Sequence, residues 1–479
     1  MLIFFRGGNE VKEYHHLTPA LVEELKGIVG EKYVYTDKDK LIPYEKDEGV
    51  EREYFHLPEA VVLPETADQT AAVMKLANRE RIPVVPRGAG TGLEFGAVTN
   101  DFGGIILSTE RMNRILEFDA DKMYMVVEPG VITADLQALA KSKGLLYAGD
   151  PCSGDSCFIG GNAATNAGGN RAVKYGTTRD QIYAIEVVTP TGEIARFGGR
   201  LKKVTAGYPL EKIIIGSEGT LGIITKLTLK LVPLPKYTVD ILAVFPTVES
   251  ALSLVTALPK AGIEPTCLEC MDNAVIRVVE QYLDEKQPYS DKGNYMVIQL
   301  DGKSEDDVDD MCVAVDEICR AQGALEIFVA DADKVWNARK AFTEASAAEC
   351  PVAAMEDFVV PPDMLEKLLI ELERIGQAQG VQFRGVSHAG DGNLHLDVLR
   401  RGFTADEEAA KIEAFEDAAC AAVYALGGKI SGEHGIGQKR KALFAKYEDP
   451  AALALMKAVK KAFDPNLILN PGKVFDMEE

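Results

Sequence analysis

Three of the six histidines of this 479-residue sequence lie between positions 388 and 434, and two of them share the stretch SHAGDGNLHLDV. Asp391-Gly392, in the middle of that stretch, is typical of the two-residue turn of a β-hairpin. A hairpin centred on this turn pairs His388 with His395 directly across the two strands, where Cβ atoms lie roughly 4.5–5.5 Å apart. We therefore expect both imidazoles to bind one metal ion. A chance pair of surface histidines is the alternative, which the symmetry about the turn and the scarcity of histidine disfavour.

The third histidine directly follows an acidic residue. In SGEHGIG, Glu433 and His434 are adjacent and are bracketed by glycines. Adjacent residues of an extended segment point to opposite sides, so one side chain can bind a metal while the other stays free. Two histidines and a carboxylate fit zinc, manganese or iron, and the sequence does not choose among them. A hydrogen-bonded loop histidine is the alternative for His434.

Glycines alternate with other residues in PVVPRGAGTGLEFGAV, residues 83–98. The dinucleotide motif G-x-G-x-x-G is not met, because Leu93 stands at its last position, and the G-K-[ST] of a P-loop is absent. Successive glycine N–H groups can still form a concave site for an anion; a turn without a ligand is the alternative. A second glycine-rich tract at 150–180 favours an extended ligand that lies along the backbone. We expect that tract to be one irregular segment.

Composition and charge exclude several kinds of partner. The net charge of −22 leaves no basic stripe for a nucleic acid. No apolar run reaches the about 18 residues of a transmembrane helix, and the opening MLIFF is too short for the apolar part of a signal peptide. Eight cysteines in so long a chain are not a disulfide framework, and the CxxC pair of Cys267 and Cys270 is interpreted as ordinary thiols. We expect a reduced, cytoplasmic protein.

Hydrophobic periodicity predicts the elements that position these residues. Helices are predicted over residues 66–82, 133–144, 305–321 and 407–427. A hairpin is predicted at 184–197, and strands are predicted between 213 and 235. Beyond Pro235 strands and helices alternate, which is typical of a sheet covered on one face by helices, of the split βαβ type. The length and this change of pattern predict two or three domains.

Seven short motifs occur in one order along the chain: PRGAGTGL, GGNAATNAGG, YGTTRD, IIGSEGTLGIIT, SHAGDGNLHL, SGEHGIG and FDPNLILNPGK. Together they resemble the FAD-linked 2-hydroxy acid dehydrogenases, which are flavoproteins of the vanillyl-alcohol-oxidase type. This family includes D-lactate dehydrogenases, D-type subunits of glycolate oxidase and D-2-hydroxyglutarate dehydrogenases. The resemblance covers the chain from about residue 40 to its end.

The resemblance implies an α+β protein. A vanillyl-alcohol-oxidase-type FAD-binding domain with two α/β subdomains would be joined to a C-terminal cap domain, an antiparallel sheet covered by helices. We expect an N-terminal helical segment at 1–55, the FAD-binding domain at 56–235, the substrate and cap domain at 236–425, and a C-terminal segment at 426–479 that returns to the flavin site.

The same resemblance implies which residues contact FAD. The pyrophosphate would lie on the loop made of Arg87, Gly88, Ala89, Gly90, Thr91 and Gly92. The rest of the cofactor would be lined by Pro151, Ser153, Gly161, Asn162, Thr165 and Gly168, with Gly222 and Ile223 near the adenine and Asn470 near the flavin. The loop at 87–96 contains neither histidine nor cysteine, so non-covalent FAD is expected.

For the chemistry, the resemblance implies that His388, His395 and Glu433 bind one divalent metal ion and that His434 is the base. Arg339, in WNARKAFTEA, would hold the substrate carboxylate with its fork of donors. Thr343, one helical turn further on, would lie on the same face. Hydride would pass from C2 of the substrate to flavin N5, and the product would be a 2-oxo acid.

Two positions depart from the relatives that use dicarboxylates. Those relatives carry a lysine where Met355 stands and an asparagine where Asp397 stands. We therefore expect a small D-2-hydroxy monocarboxylate, D-lactate or glycolate, as the substrate. Electrons would pass to an electron-transferring flavoprotein, a quinone or a partner subunit.

Three alternatives stay open. The first is a dicarboxylate dehydrogenase of the D-2-hydroxyglutarate type. The second is a flavin-holding electron-transfer subunit, which predicts loss of the metal ligands or the base, although all four residues are present. The third is an aromatic alcohol oxidase, which does not need the histidine pair.

Overall fold

The computed structural model describes residues 14–477, with the backbone alone at 405 and 406. The helices are, in chain order, α1 Pro19–Val29, α2 Lys38–Leu41, α3 Ala67–Glu80, α4 Thr133–Ser142, α5 Ile159–Thr165, α6 Ala172–Tyr175, α7 Leu210–Ile214, α8 Val248–Leu252, α9 Leu254–Lys260, α10 Asn273–Leu283, α11 Glu305–Ala321, α12 Ala332–Lys340, α13 Phe342–Glu349, α14 Leu365–Gln379, α15 Ala405–Ala425, α16 Lys441–Tyr447 and α17 Pro450–Phe463. Over these residues, no helix combines the length and the apolar character needed to cross a membrane.

The strands, which carry most of the predicted site residues, are β1 Val34–Tyr35, β2 Ala60–Val62, β3 Val84–Arg87, β4 Ile105–Ser108, β5 Ile115–Asp119, β6 Tyr124–Val127, β7 Leu145–Leu146, β8 Ile182–Val188, β9 Ile194–Gly198, β10 Ile223–Lys230, β11 Val232–Pro233, β12 Tyr237–Phe245, β13 Cys267–Met271, β14 Asn294–Gly302, β15 Glu326–Val329, β16 Val352–Val359, β17 Gln382–His388 and β18 Asn393–Leu399.

The chain divides into two compact units. The first unit combines Met1–Ala167, Thr177–Pro233 and Glu433–Glu479, and the second combines Gly168–Gly176 and Leu234–Gly432. Residues 1–13, the start of the expected N-terminal helical segment, lie outside the described residues. The polypeptide therefore leaves the first unit and returns to it at Glu433, directly before the predicted base.

The first unit is built on two larger sheets and a two-stranded one, β11-β7. A four-stranded sheet has the order β1-β2-β4-β3, and a five-stranded antiparallel sheet has the order β5-β6-β10-β8-β9. Helix α3 packs Met74 against the first sheet in a core that also takes Ile468 and Leu469 from the C-terminal stretch. As predicted, Thr66 caps α3 by accepting a hydrogen bond from the Gln69 N–H at 3.2 Å. The predicted hairpin is also present as β8 and β9, which pair antiparallel.

Two local predictions between residues 150 and 235 are wrong. The tract at 150–180 is not one irregular segment, because it contains α5 and α6. Its small residues permit close packing: a Cβ added to Gly160 would lie 2.4 Å from Cβ of Pro129. Ile213 and Ile214, predicted in a strand, end the short helix α7.

The second unit is an antiparallel seven-stranded sheet in the order β15-β12-β14-β13-β17-β18-β16. The expectation of helices on one face only is wrong. Helices α10, α12 and α13 share a core with one face, and on the other face Phe383 of β17 packs against Phe415 of α15 with ring centroids 5.7 Å apart. The reason is that β13 is buried at every position, so both of its faces need cover.

Candidate active site

The two histidines predicted to bind a metal lie side by side in the second unit. His388 ends β17 and His395 is in β18, and their ring centroids are 5.0 Å apart with the planes at 89°. The register differs from the predicted one: His388 pairs with Asn393, and His395 pairs with Val386. The histidines are therefore diagonal neighbours rather than direct partners.

The predicted register is wrong because the loop between β17 and β18 is longer than predicted. Asp391 and Gly392 both donate their N–H groups to the carbonyl of His388, at 3.2 and 3.1 Å, so four residues rather than two connect the strands. Gly392 has φ +82°, and a Cβ there would lie 2.0 Å from the carbonyl oxygen of Val360. Because the shift is two residues and side chains alternate with a period of two, both imidazoles stay on one face of the sheet.

A buried carboxylate that the sequence did not single out holds one of these histidines. Glu269 of β13 lies beside His388 in the sheet register, and its Oε1 is 2.7 Å from Nδ1 of His388. Its Oε2 accepts a hydrogen bond from Nε of Arg339 at 2.9 Å. Burial alone would raise the pKa of Glu269, but the facing His388 and Arg339 bring it below its usual range. The predicted carboxylate clamp and a predicted metal ligand thus share one anchor.

Arg339 and Thr343 do not share a helix. Arg339 is near the end of α12 and Thr343 is near the start of α13, with Ala341 between the two helices. Arg339 is buried and Thr343 is exposed, so the expectation that they lie on one face is wrong. Nη2 of Arg339 is buried and has no hydrogen-bond partner among the described residues, which leaves a donor for an anionic group.

A second buried carboxylate fixes the chain just before Glu433. Asp357 of β16 accepts hydrogen bonds from Nδ2 of Asn393 at 2.8 Å, from Oγ of Ser431 at 2.8 Å and from the N–H of Gly432 at 2.9 Å. It also lies 3.5 Å from Nδ1 of His395. The strand that carries His395 and the residues that lead into Glu433 are therefore tied to the same side chain.

In the first unit, a third carboxylate fixes the chain just after His434. Glu218 accepts hydrogen bonds from the N–H groups of Ile436 and Gly437, both at 2.8 Å, and burial raises its pKa. Gly437 has φ +53°, and a Cβ there would lie 1.8 Å from the carbonyl oxygen of Glu94. The half-buried pair of Glu433 and His434 thus lies between two anchored segments of chain.

The two positions that depart from dicarboxylate-using relatives are neighbours. Met355 of β16 pairs with Asp397 of β18, and Asp397 pairs on its other side with Arg384 of β17. Both Met355 and Asp397 are buried, and burial raises the pKa of Asp397 to about 6. Arg384 is paired with Glu349. Since Asp397 is two residues from His395, this row lies on the histidine-bearing face.

The predicted cofactor residues of the first unit lie on adjoining loops. A Cβ on Gly88 would lie 3.6 Å from Cα of Gly161, whereas a Cβ on Gly161 would meet no atom within 4 Å. The loop that follows β3 is closed by Arg87, whose buried guanidinium donates to the carbonyls of Ala97 at 3.1 Å and Lys46 at 2.8 Å. The Arg87 side chain therefore shapes the loop, and the open backbone at Gly161 fits a bound ligand.

The remaining predicted cofactor residues are placed as follows. Pro151 and Ser153 precede α5; Asn162 and Thr165 lie within it; Gly222 and Ile223 lie at the start of β10; Gly168 belongs to the second unit. Nδ2 of Asn162 donates to Oγ1 of Thr133 at 2.7 Å, so this amide fixes α5. Asn162 is therefore tied to its own unit, while Thr165 donates its hydroxyl to the carbonyl of Gly161 at 3.3 Å.

Near Asn470, buried polar atoms have no hydrogen-bond partner among residues 14–477. Nδ2 of Asn470 donates to the carbonyls of Gly96 at 3.0 Å and Glu218 at 2.8 Å, but its Oδ1 is unpaired. Nζ of Lys473 is also buried and unpaired. Burial, together with the charge of Lys441, lowers the pKa of Lys473 to about 7. These orphaned groups fit a polar, anionic cofactor such as FAD.

Comparison with known proteins adds to this geometry. Residues 58–198 match the model of an FAD binding domain, and residues 234–474 match the C-terminal domain of FAD linked oxidases. The chain belongs to the FAD-linked oxidase family. The resemblance drawn from the seven sequence motifs is confirmed, and with it the assignment of an oxidoreductase.

Three relatives of this FAD-linked oxidase carry the name of a hydroxy acid in their own names. It is 36% identical to D-lactate dehydrogenase of Anaerostipes hadrus, over 96% of this chain and 98% of that protein. It is 36% identical to glycolate oxidase subunit GlcD of Bacillus subtilis, over 88% and 90%. It is 33% identical to D-2-hydroxyglutarate dehydrogenase of Stutzerimonas stutzeri, over 95% and 99%.

The solved structures support the fold. p-Cresol methylhydroxylase with substrate bound superposes with a TM-score of 0.79 at 19% identity, over 96% of this chain and 97% of that one. At that identity the likeness concerns the fold alone. The predicted vanillyl-alcohol-oxidase-type architecture, with an antiparallel sheet in the C-terminal part, is confirmed.

We predict that this FAD-linked oxidase binds FAD without a covalent link, because its 87–96 loop contains no histidine or cysteine that could attack the flavin. Acid precipitation followed by filtration should release all of the yellow chromophore. Flavin that stays with the precipitated protein would contradict the prediction.

Proposed function

We propose that this FAD-linked oxidase is a dehydrogenase of a small D-2-hydroxy monocarboxylate, D-lactate or glycolate, that uses non-covalent FAD and one divalent metal ion. One observation carries the proposal. Glu269 holds both Arg339 and His388 on one face of the sheet, while Nη2 of Arg339 stays buried and unpaired among the described residues. A substrate whose carboxylate lies next to a hydroxyl fits this arrangement, because its carboxylate can bind Arg339 while its hydroxyl lies beside the metal held by His388.

The donor set fits a divalent metal. His388 turns Nδ1 to Glu269, and we propose that it binds the ion through Nε2. The ring of His395 lies against it, and Glu433 directly follows Gly432, which is tied to Asp357 beside His395. We propose His388, His395 and Glu433 as the ligands; two imidazoles and a carboxylate suit zinc, manganese or iron.

The reaction removes a hydride from C2 and a proton from the hydroxyl of the substrate. When bound, FAD accepts the hydride and the metal withdraws electron density from the hydroxyl oxygen. Arg339 binds the carboxylate through its guanidinium, and His434 takes the hydroxyl proton, for which an imidazole is suited near neutral pH. Turnover would require an acceptor for the two electrons, which we propose is an electron-transferring flavoprotein, a quinone or a partner subunit.

The row of Met355 and Asp397 favours monocarboxylates. A dicarboxylate such as D-2-hydroxyglutarate carries a second anionic group, and here Met355 offers it no charge, while the cation of that row, Arg384, is in an ion pair with Glu349. Asp397 adds a buried acid at the same place. We therefore expect D-2-hydroxyglutarate to be a poorer substrate than D-lactate and glycolate.

The decisive experiment measures bleaching of the flavin absorbance without oxygen. D-lactate, L-lactate, glycolate, D-2-hydroxyglutarate and an aromatic alcohol are each added to the purified holoenzyme. D-lactate or glycolate should reduce the flavin fastest. Reduction by the aromatic alcohol alone would contradict the proposal, and reduction by no substrate would favour a flavin-holding electron-transfer subunit.

We predict that His388→Ala removes the metal and leaves FAD bound, because the ion loses a ligand while the predicted cofactor residues other than Gly168 belong to the first unit. Elemental analysis and the flavin spectrum of the purified variant measure the two. His16→Ala, at a half-exposed surface histidine of the first unit, is the matched control. Equal metal content in the His388→Ala variant and the parent would refute the ligand assignment.

We predict that His434→Asn slows flavin reduction in a single turnover by at least ~10²-fold, because the amide cannot accept the hydroxyl proton. FAD content, metal content and oxalate affinity should stay near the parental values. Stopped-flow absorbance without oxygen gives the rate. Reduction at the parental rate would exclude this histidine as the base.

We predict that Met355→Lys combined with Asp397→Asn raises kcat/KM for D-2-hydroxyglutarate relative to D-lactate. A charge-assisted hydrogen bond to the second carboxylate contributes about 1.5–3 kcal/mol, which corresponds to roughly 10–100-fold. Met355→Leu with Asp397→Asn is the control without the new charge. An unchanged substrate preference in the lysine variant would show that this row does not contact the substrate.

A further inference from the structure

Glu269 is an acid in an apolar setting. It stands in the middle of β13, whose other residues are Cys267, Leu268, Cys270 and Met271, and it is fully buried. The core on its face of the sheet includes Met271, Val297 and Ala338. A carboxylate in such a place is costly unless it is fully paired. The burial of the Glu269 carboxylate therefore needs an explanation.

Its two oxygens have separate partners. Oε1 faces Nδ1 of His388 at 2.7 Å, and Oε2 faces Nε of Arg339 at 2.9 Å. An ionised carboxylate only accepts hydrogen bonds, so Nδ1 of His388 carries a proton, and in the neutral imidazole this puts the lone pair on Nε2, as a metal ligand requires. Nε of Arg339 is likewise committed to Glu269, while its buried Nη2 has no hydrogen-bond partner among the described residues.

We propose that Glu269 is a positioning residue that couples the substrate clamp to the metal site: one carboxylate sets the tautomer of His388 and the direction of the Arg339 fork. This inference rests on the proposed function, in which His388 binds the metal and Arg339 binds the substrate carboxylate. Glu269 then sets the distance between Arg339, which binds the substrate carboxylate, and His388, which helps to bind the metal ion beside the 2-hydroxyl. Displacing Glu269 then disturbs both at once.

Glu269→Gln separates this role from simple space filling. The amide has nearly the same shape, but it offers one acceptor and one donor where two acceptors are needed. The cationic Arg339 makes the stronger hydrogen bond to the amide oxygen, which leaves the amide NH2 facing Nδ1 of His388. The imidazole must then accept at Nδ1 and carry its proton on Nε2, the nitrogen meant for the metal.

The main measurement is the affinity for Zn²⁺, by competition with a chromophoric chelator, on FAD-loaded protein. Glu269→Gln should bind Zn²⁺ about 10–100-fold more weakly than the parent, as loss of an outer partner of a metal-binding histidine typically does. Oxalate affinity, read from the flavin spectrum with the metal removed, should fall as well, because the Arg339 fork loses its fixed direction.

A double variant supplies the sharper readout. In Glu269→Gln with Arg339→Met, the amide oxygen is free to turn to His388, so Nδ1 can donate again. Zn²⁺ affinity should therefore recover toward the parental value although a second residue has been changed. A purely structural role for Glu269 predicts the opposite, a further loss.

Asp240→Asn is the matched control. Asp240 is also a buried carboxylate of this sheet, and it accepts hydrogen bonds from Nε1 of Trp336 at 2.8 Å and Nε2 of Gln299 at 2.9 Å. Its substitution should lower the melting temperature without changing Zn²⁺ or oxalate affinity. If Glu269→Gln does not fold, Glu269→Asp replaces it, because the shorter side chain cannot reach both partners and should weaken Zn²⁺ or oxalate binding at least about 10-fold.

The outcomes separate the two proposals. A parent that takes up none of Zn²⁺, Mn²⁺ and Fe²⁺ overturns the proposed metal chemistry and with it the histidine half of the coupling. A parent that binds Zn²⁺, beside a folded Glu269→Gln with parental Zn²⁺ and oxalate affinities, overturns the coupling alone. A double variant that binds Zn²⁺ more weakly than Glu269→Gln also overturns it.

Discussion

Buried carboxylates that accept hydrogen bonds from more than one segment hold the chemistry-bearing parts of this protein in place. Asp357 accepts from the side chain of Asn393, the hydroxyl of Ser431 and the N–H of Gly432. Leaving such a group without its donors costs several kcal/mol (about 3–5 when one partner of a buried charge pair is removed), so the segments that supply the donors are constrained together. The same logic applies to Glu218 and the Gly435–Gly437 stretch.

The seven-stranded sheet makes this arrangement precise because its strands are covered on both faces. β13 and most of β14 are buried at successive positions, so neither strand can slide by one residue without turning its polar side chains into the opposite core. His388, His395 and Glu269 therefore keep a common face. Functional groups on such strands are held more rigidly than groups on loops.

The contrast between sequence and structure follows the range of the interactions. The glycine-rich loop after β3, the cap of α3 and the hairpin of β8 and β9 depend on near neighbours, and the sequence predicted them. The shared face of His388 and His395 was also predicted, although the register was not, because a four-residue loop looks locally like an Asp-Gly turn. An error of two residues preserves the face, whereas an error of one would have separated the histidines.

Glu269 could not be found in this way. Its partners Arg339 and His388 lie 70 and 119 residues further along the chain, and the surrounding CLEC motif drew attention to its thiols. The only local signal was an acid inside an apolar strand, which is a reason to look for a distant partner. The break at Ala341 between α12 and α13 likewise has no proline or glycine to announce it.

The discontinuous first unit has a consequence for biosynthesis. Two of its hydrophobic cores take residues from the stretch that begins at Glu433: Ile468 and Leu469 in one core, and Val459 and Phe463 in the other. Neither core is complete until the ribosome has released that stretch, whereas the second unit is translated in full before it. Because domains generally fold as their sequence emerges, the nascent chain must carry an unfinished first unit, with apolar strands exposed, through the synthesis of about two hundred intervening residues. We therefore expect this unfinished first unit to be the species most prone to aggregation during synthesis.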